Sequence, residues 1–170
     1  MRKNVLACVL AAGCIAGMLT GCGSRKKDRV LQDGTYTAKS EIRKDILSDD
    51  GENSEEDDAA AGYGVVTISV KDGKIADCDF KTYTVDGQLK DKEYGKKQGG
   101  VANRDFYNKA QKAVAAVPKY AEMLVENGQL DGIDSISGAT INYEEFCEAA
   151  DRALDMSEKG QQSVKAETES

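Results

Sequence analysis

The sequence predicts an α+β fold, a curled antiparallel sheet packed against helices in one domain. Three observations carry that prediction. Gly64-Val65-Val66-Thr67-Ile68-Ser69-Val70 alternates with the period of a half-buried strand, placing Val66, Ile68 and Val70 on one face. Lys71-Asp72-Gly73-Lys74 then reads as a hairpin turn, because Asp-Gly supplies the positive φ angles a tight turn needs, and Ile75 to Tyr83 returns as the partner strand. Farther along the chain, apolar residues recur at helical rather than strand spacing.

Taken in order, the folded part opens at Asp33-Gly34, a turn dipeptide followed by the strand formers Thr35-Tyr36-Thr37-Ala38. An acidic loop over 45–61 comes next, and seven of the ten residues from Asp49 to Asp58 are Asp or Glu. With no apolar side chain to bury, such a segment has nothing to offset its ordering entropy. It also lacks the ligand spacing of an EF-hand calcium loop. On the return strand Cys78, Phe80 and Thr82 point one way, and Val85 to Val101, with four glycines, reads as a long loop. Asn103 can cap a helix from Arg104 to about Ala116, with Phe106, Ala110, Ala113 and Val117 on its apolar stripe. Pro118 interrupts the pattern and predicts a second helix carrying Tyr120, Leu124 and Val125, ending at Asn127-Gly128. A last helix is expected near Asn142, with Glu145 as its capping-box partner and Tyr143, Phe146, Cys147, Ala150 and Leu154 facing the core. Past Met156 periodicity stops, so the domain is expected over 33–157 and a frayed tail over 158–170.

The N-terminus has a different character. Arg2 and Lys3 precede an apolar stretch from Val5 to Met18 and the tetrad Leu19-Thr20-Gly21-Cys22. That stretch suits a signal-peptide core and is short for a spanning helix, which needs about 20 apolar residues. The tetrad resembles the lipobox of bacterial lipoproteins, which implies removal of residues 1–21 and acylation of Cys22, palmitate included. Cys8 follows too few apolar residues to serve, and Cys14 has Ala11 where that motif prefers leucine. Residues 22–32 are then a lipidated tether, with Arg25, Lys26, Lys27 and Arg29 near anionic headgroups or simply solvated. Processing at Cys22 removes only the two cations Arg2 and Lys3, which moves the formal net charge from −7 to −9. That balance opposes nucleic-acid binding, which needs basic patches to displace counterions. The chain has no histidine and no Cys-x-x-Cys, so zinc, haem and His-based catalytic triads lose their usual groups. Cys78 and Cys147 can pair or remain buried thiols.

One segment carries chemistry: Asp134-Ser135-Ile136-Ser137-Gly138-Ala139-Thr140, directly before the last predicted helix. Ser137, Gly138 and Ala139 are small enough for a bulky partner to approach the backbone. Thr140 stands where free N–H groups and the helix dipole favour an anion such as phosphate. The segment resembles the flavinylation motif of the FMN-binding domain family, Asp-x-x-Ser/Thr-Gly-Ala-Thr. The Asp33-Gly34 opening and the hairpin around Asp72-Gly73 are similar to that domain too, so the resemblance runs from Asp33 to about Leu154. It implies FMN joined through its phosphate to Thr140 by a separate flavin transferase that uses FAD and magnesium. It also implies that Ser137, Gly138 and Ala139 shape the turn and that Asp134 is part of what the transferase reads. The sequence departs from the family after the threonine, where Asn142 and Tyr143 replace the small hydroxylated residues of many members.

A flavin held covalently cannot diffuse away outside the cell, and the cofactor supplies the redox chemistry while the protein supplies position and electrostatics. The resemblance therefore implies an electron carrier at the outer face of the membrane rather than an enzyme in its own right. It would take electrons from a membrane quinol or flavoprotein complex and pass them to an extracellular acceptor or partner reductase. The acidic composition implies a potential below that of free FMN, because negative surroundings disfavour the anionic reduced flavin. Tyr83, Tyr94, Tyr107 and Tyr143 are the aromatic residues available to stack on the ring. The alternatives are a surface binding or antigenic lipoprotein of the same fold without flavin, and a reductase acting directly on a small molecule.

Overall fold

A computed structural model of the chain describes residues 29–43, 61–97 and 100–163. The expected signal peptide, Cys22 with most of the tether, and all of the acidic loop but Ala61 lie outside the described residues. The elements run β1 (Gly34–Lys39), β2 (Gly62–Lys71), β3 (Lys74–Thr84), α1 (Arg104–Asn127) and α2 (Thr140–Glu158). The strands form one open antiparallel sheet in the order β1-β2-β3, which gives the expected α+β architecture. Both helices cover the same face: α2 lies over β2 and β1, and α1 over β3.

The alternation predicted for β2 is realised, with Val66 and Ile68 fully buried, Val70 buried, and Val65, Thr67 and Ser69 half-buried on the other face. The turn has Asp72 at φ 53° and Gly73 at φ 71°, the left-handed pair expected of Asp-Gly. One feature of β3 escapes a strict period of two. Ile75 and Phe80 are both in the core although five residues apart. The register shifts by one residue between Ser69 and Val70, so Val70 pairs with Ile75 while Ser69 pairs with Asp77. This bulge flips the phase, so that core residues on both sides of it face the helices.

Asp33 fastens the hairpin turn to β1: its carboxylate accepts the N–H groups of Asp72 at 3.0 Å and Gly73 at 2.9 Å. The Gly73 bond, then the Asp72 bond, holds its pKa below the ordinary 3.8. A lowered folded-state pKa stabilises the fold above the unfolded value and ceases to do so as pH falls through the folded one. An NMR titration is expected to show the Asp33 carboxyl protonating below 3.8, with the Gly73 amide resonance moving in step. Asp33→Asn should leave that resonance flat over the same range.

The predicted break at Pro118 does not occur. α1 is one continuous helix with Pro118 inside it, capped by Asn103, whose side chain accepts from Phe106 N–H. Pro118 removes the donor that the Val114 carbonyl would use, at about 3 kcal/mol. Burial of Val117, Tyr120 and Leu124 on the same stripe as Ala110 contributes about 1.5–3 kcal/mol each, which outweighs it. α2 begins at Thr140, two residues earlier than expected, and its N-cap is Ala139 without a side-chain cap. Asn142 and Glu145 therefore form no capping box. Both are buried, and Asn142 Nδ2 instead donates to the Ala113 carbonyl of α1 at 2.9 Å, one turn before Pro118. Ala149, Ala150 and Ala153, all fully buried, let α2 lie close on the sheet beside Phe146 and Leu154.

The described ends of the chain make contacts that the sequence does not suggest, while residues 164–170 of the expected tail lie outside the described residues. Residues 158–163, expected to fray, return to β1: Ser163 N–H donates to Thr35 O at 3.1 Å, and Ser163 Oγ accepts from Thr37 N–H at 2.7 Å. Arg29, read as a tether cation, is clamped on α2 by the carboxylates of Asp151 and Asp155, with its side chain 9% exposed. Asp151, Asp155 and Glu158 recur on one helix face, so removing the cation leaves three acids repelling one another. Arg29→Met is expected to cost about 1–2 kcal/mol, less than a fully buried pair because the acids are partly hydrated. Urea denaturation at low salt checks this, and an unchanged midpoint would show the clamp to be idle.

Candidate functional site

The Asp134–Thr140 segment joins the two helices, and its shape follows from its residues. Ala139 N–H donates to Ile136 O at 2.9 Å, closing a four-residue turn around Ser137 and Gly138. Gly138 sits at φ 81°, the left-handed conformation that the third position of a type II turn requires and that a side chain would strain. Ala139 is buried, whereas Ser137, Gly138 and Thr140 are exposed. Asp134 is exposed on the approach to the turn.

Two tyrosine hydroxyls fix this turn to the helices. Tyr120, fully buried on α1, accepts from Ile136 N–H at 2.9 Å and donates to Ala139 O at 3.2 Å. Burial raises the pKa of its phenol, so the hydroxyl keeps the proton that it donates to the Ala139 carbonyl, which also accepts the Tyr143 N–H at 3.0 Å. Tyr143 on α2 donates to Ile133 O at 3.0 Å, pinning the start of the same loop. The rings belong to one cluster, with Tyr120 stacked on Phe146 at 5.5 Å and Tyr143 at 5.9 Å from Tyr120.

Thr140 is the first residue of α2, and the cavity beside it has a volume of about 230 Å³. Gly138, Ala139, Thr140, Ile141 and Asn142 line one wall, and Lys109 and Lys112 of α1 line the other. The first N–H groups of a helix have no intrahelical partner. In α1 that end is met by the Asn103 cap and by Asp105, but in α2 neither a capping side chain nor a first-turn acid meets it. This donor set suits a phosphate: free N–H groups, the positive end of a helix dipole, two ammonium groups and an exposed hydroxyl.

Sequence reasoning placed Ser137, Gly138, Ala139 and Thr140 together here. It missed Lys109 and Lys112, whose i,i+3 spacing marks a shared helix face but not what that face meets. It also missed Tyr120, which reads from sequence as one more core aromatic. None of the four tyrosines considered for ring stacking lines this cavity. Tyr83 stacks on Tyr63 at 5.5 Å on the uncovered face of the sheet, and Tyr94 meets Phe106 edge-on at 6.1 Å. The Tyr107 hydroxyl donates to Lys92 O, and Tyr143 holds Ile133. Cys78 is a free thiol, so it is not paired with Cys147. Burial first, then the charges of Asp77 and Asp79, pushes its pKa up to about 12, so this half-buried thiol packed against the core stays protonated. Among the described residues no helix is long and apolar enough to cross a membrane, and no three His, Cys, Asp or Glu are placed to hold a metal ion.

Fold and site together define an α+β domain whose loop–helix junction offers donors that suit an anion. The chain belongs to the FMN-binding domain family, whose model matches residues 61–155, and it is a flavin-binding protein. A crystal structure of a protein from Clostridium perfringens is similar at a TM-score of 0.51 and 23% identity, over 78% of this chain and 93% of that one. At that identity the likeness concerns the fold alone. A solution NMR structure of a protein from Clostridium thermocellum is 26% identical over 80% of this chain and 96% of that one, at a TM-score of 0.37. None of the curated proteins compared matches the chain.

Proposed function

We propose that the protein is an extracytoplasmic, lipid-anchored flavoprotein that carries FMN covalently on Thr140 and serves in electron transfer. The observation that carries this reading is an exposed threonine hydroxyl at an uncapped helix N-terminus, inside an FMN-binding domain. Bound FMN would supply reversible one- and two-electron chemistry. The chain's own residues do the positioning. Thr140 offers the oxygen for the phosphoester, and the Gly138 turn clears backbone for the approach of the transferase and its FAD–magnesium donor. Tyr120 and Tyr143 hold the loop so that the hydroxyl stays presented. Ser137 and Asp134, exposed on the same loop, are available for the transferase to read.

Anchoring through acylated Cys22 would keep the domain at the outer face of the cell membrane, within reach of a quinol pool or a membrane flavoprotein complex. Electrons would leave to an extracellular acceptor or a partner reductase. The test is co-expression of the exported chain with a flavin transferase, followed by intact-mass analysis. One FMN per chain, together with lipid on Cys22, is expected. A polypeptide bearing lipid alone would instead favour a surface binding lipoprotein of the same fold.

A further inference from the structure

Resting on the assignment of FMN to Thr140, we infer that Lys109 and Lys112 are the cationic half of that site. They hold the phosphate of the attached flavin against the N-terminus of α2. Three observations meet here. The two lysines stand three residues apart on α1, hence on one face, and both line the cavity that Thr140 opens into. A Cβ built on Gly138 would lie 3.9 Å from Lys112 Cδ, so the lysine stem passes over the turn before Thr140 and its ammonium is within reach of that hydroxyl's substituent. The chain as a whole is acidic, at a formal −7, yet the charged side chains that line this cavity are both lysines, beside the N-terminus of α2. A phosphoester with one negative charge placed there is attracted by the lysines and by the helix end alike.

The arrangement also divides the labour at the site. The N–H groups of α2 bind the phosphate oxygens directionally, whereas flexible lysines act as point charges that tolerate the approach of a large transferase. Both lysines are exposed, so their effect should be modest and sensitive to salt.

Four chains are compared after co-expression with a flavin transferase: wild type, Lys112→Met, the Lys109→Met/Lys112→Met double variant, and Lys119→Met as a control on the exposed surface of α1. Flavin incorporation is followed over time by intact mass. Thermal unfolding of loaded and unloaded forms gives the increment that loading adds to Tm. Incorporation is expected to slow roughly threefold to fivefold per lysine removed, the size of an exposed charge pair. The loading increment should shrink in the double variant, and added salt should shrink it in wild type but not in that variant. Lys112→Arg should restore both readouts, and Lys119→Met should match wild type throughout. Equal rates and equal increments in wild type and the double variant would overturn the inference while leaving Thr140 as the attachment point. A wild type that takes up no flavin would remove the functional reading itself, and this inference with it.

Discussion

Thr140→Ala is expected to emerge from co-expression with a flavin transferase bearing no flavin, while remaining as well folded as wild type. The two halves of this expectation have separate physical grounds. The covalent link needs an oxygen at this position, and alanine has none, so the adduct should fall from near-complete to undetectable by mass and by in-gel fluorescence after denaturation. The fold asks little of the side chain, because Thr140 is exposed in the first turn of α2 and caps nothing. Its removal should shift stability by no more than about 0.5 kcal/mol. Thr140→Ser keeps the oxygen and should accept flavin with reduced efficiency, since serine holds its hydroxyl in more rotamers than a β-branched threonine. Flavin persisting on Thr140→Ala would move the attachment elsewhere and dissolve the proposed role of this junction.

The second large effect is expected at Tyr120, a residue that would touch no cofactor. Tyr120→Phe retains the ring, and with it the contacts to Phe146 at 5.5 Å and Phe80 at 6.5 Å. It removes the one oxygen that bonds both Ile136 N–H and Ala139 C=O. The Ala139 carbonyl still accepts the Tyr143 N–H at 3.0 Å, so it is the Ile136 N–H that loses its partner, and a buried orphan costs about 1–3 kcal/mol. A loss of about 1–3 kcal/mol in urea denaturation is expected, from the orphaned Ile136 N–H and the lost Ala139 bond together. Tyr143→Phe breaks a single bond, to Ile133 O, and should cost about 1 kcal/mol. If the loop is held as described, Tyr120→Phe also slows flavin incorporation at Thr140 under conditions where it is fully folded. A variant with wild-type stability and wild-type incorporation would show that the turn holds its shape without the tyrosine.

Both expectations concern a junction whose parts differ in how far they can be read from sequence. Gly138 is legible as a small residue open to close approach, and as part of the turn that the family motif implies, and the structure adds its left-handed φ of 81°. The β2–β3 hairpin is legible for a similar reason, since alternation and Asp-Gly are local signals. Pro118 shows the limit of such signals. Locally it argues for a boundary, yet the apolar stripe through Val117, Tyr120 and Leu124 rides on the sheet and carries the helix past it. Asn142 shows the same limit from another side. Three residues ahead of Glu145 it resembles a cap, but it is consumed by a carbonyl on a different helix.

From residue order alone one reads the strands and helices whose periods are local, the placing of Ser137 to Thr140 at the mouth of a helix, and the family to which the domain belongs. Tertiary structure alone decided that Lys109 and Lys112 stand across from Thr140, that Tyr120 bolts the turn, and that Arg29 folds back onto α2. The reason lies in the range of the forces involved. Turn geometry and hydrophobic period act over a few neighbouring residues and leave a trace in their order. A hydrogen bond between Tyr120 and Ile136, or a lysine stem over Gly138, depends on how two helices settle on one sheet, and no short stretch of the chain records that.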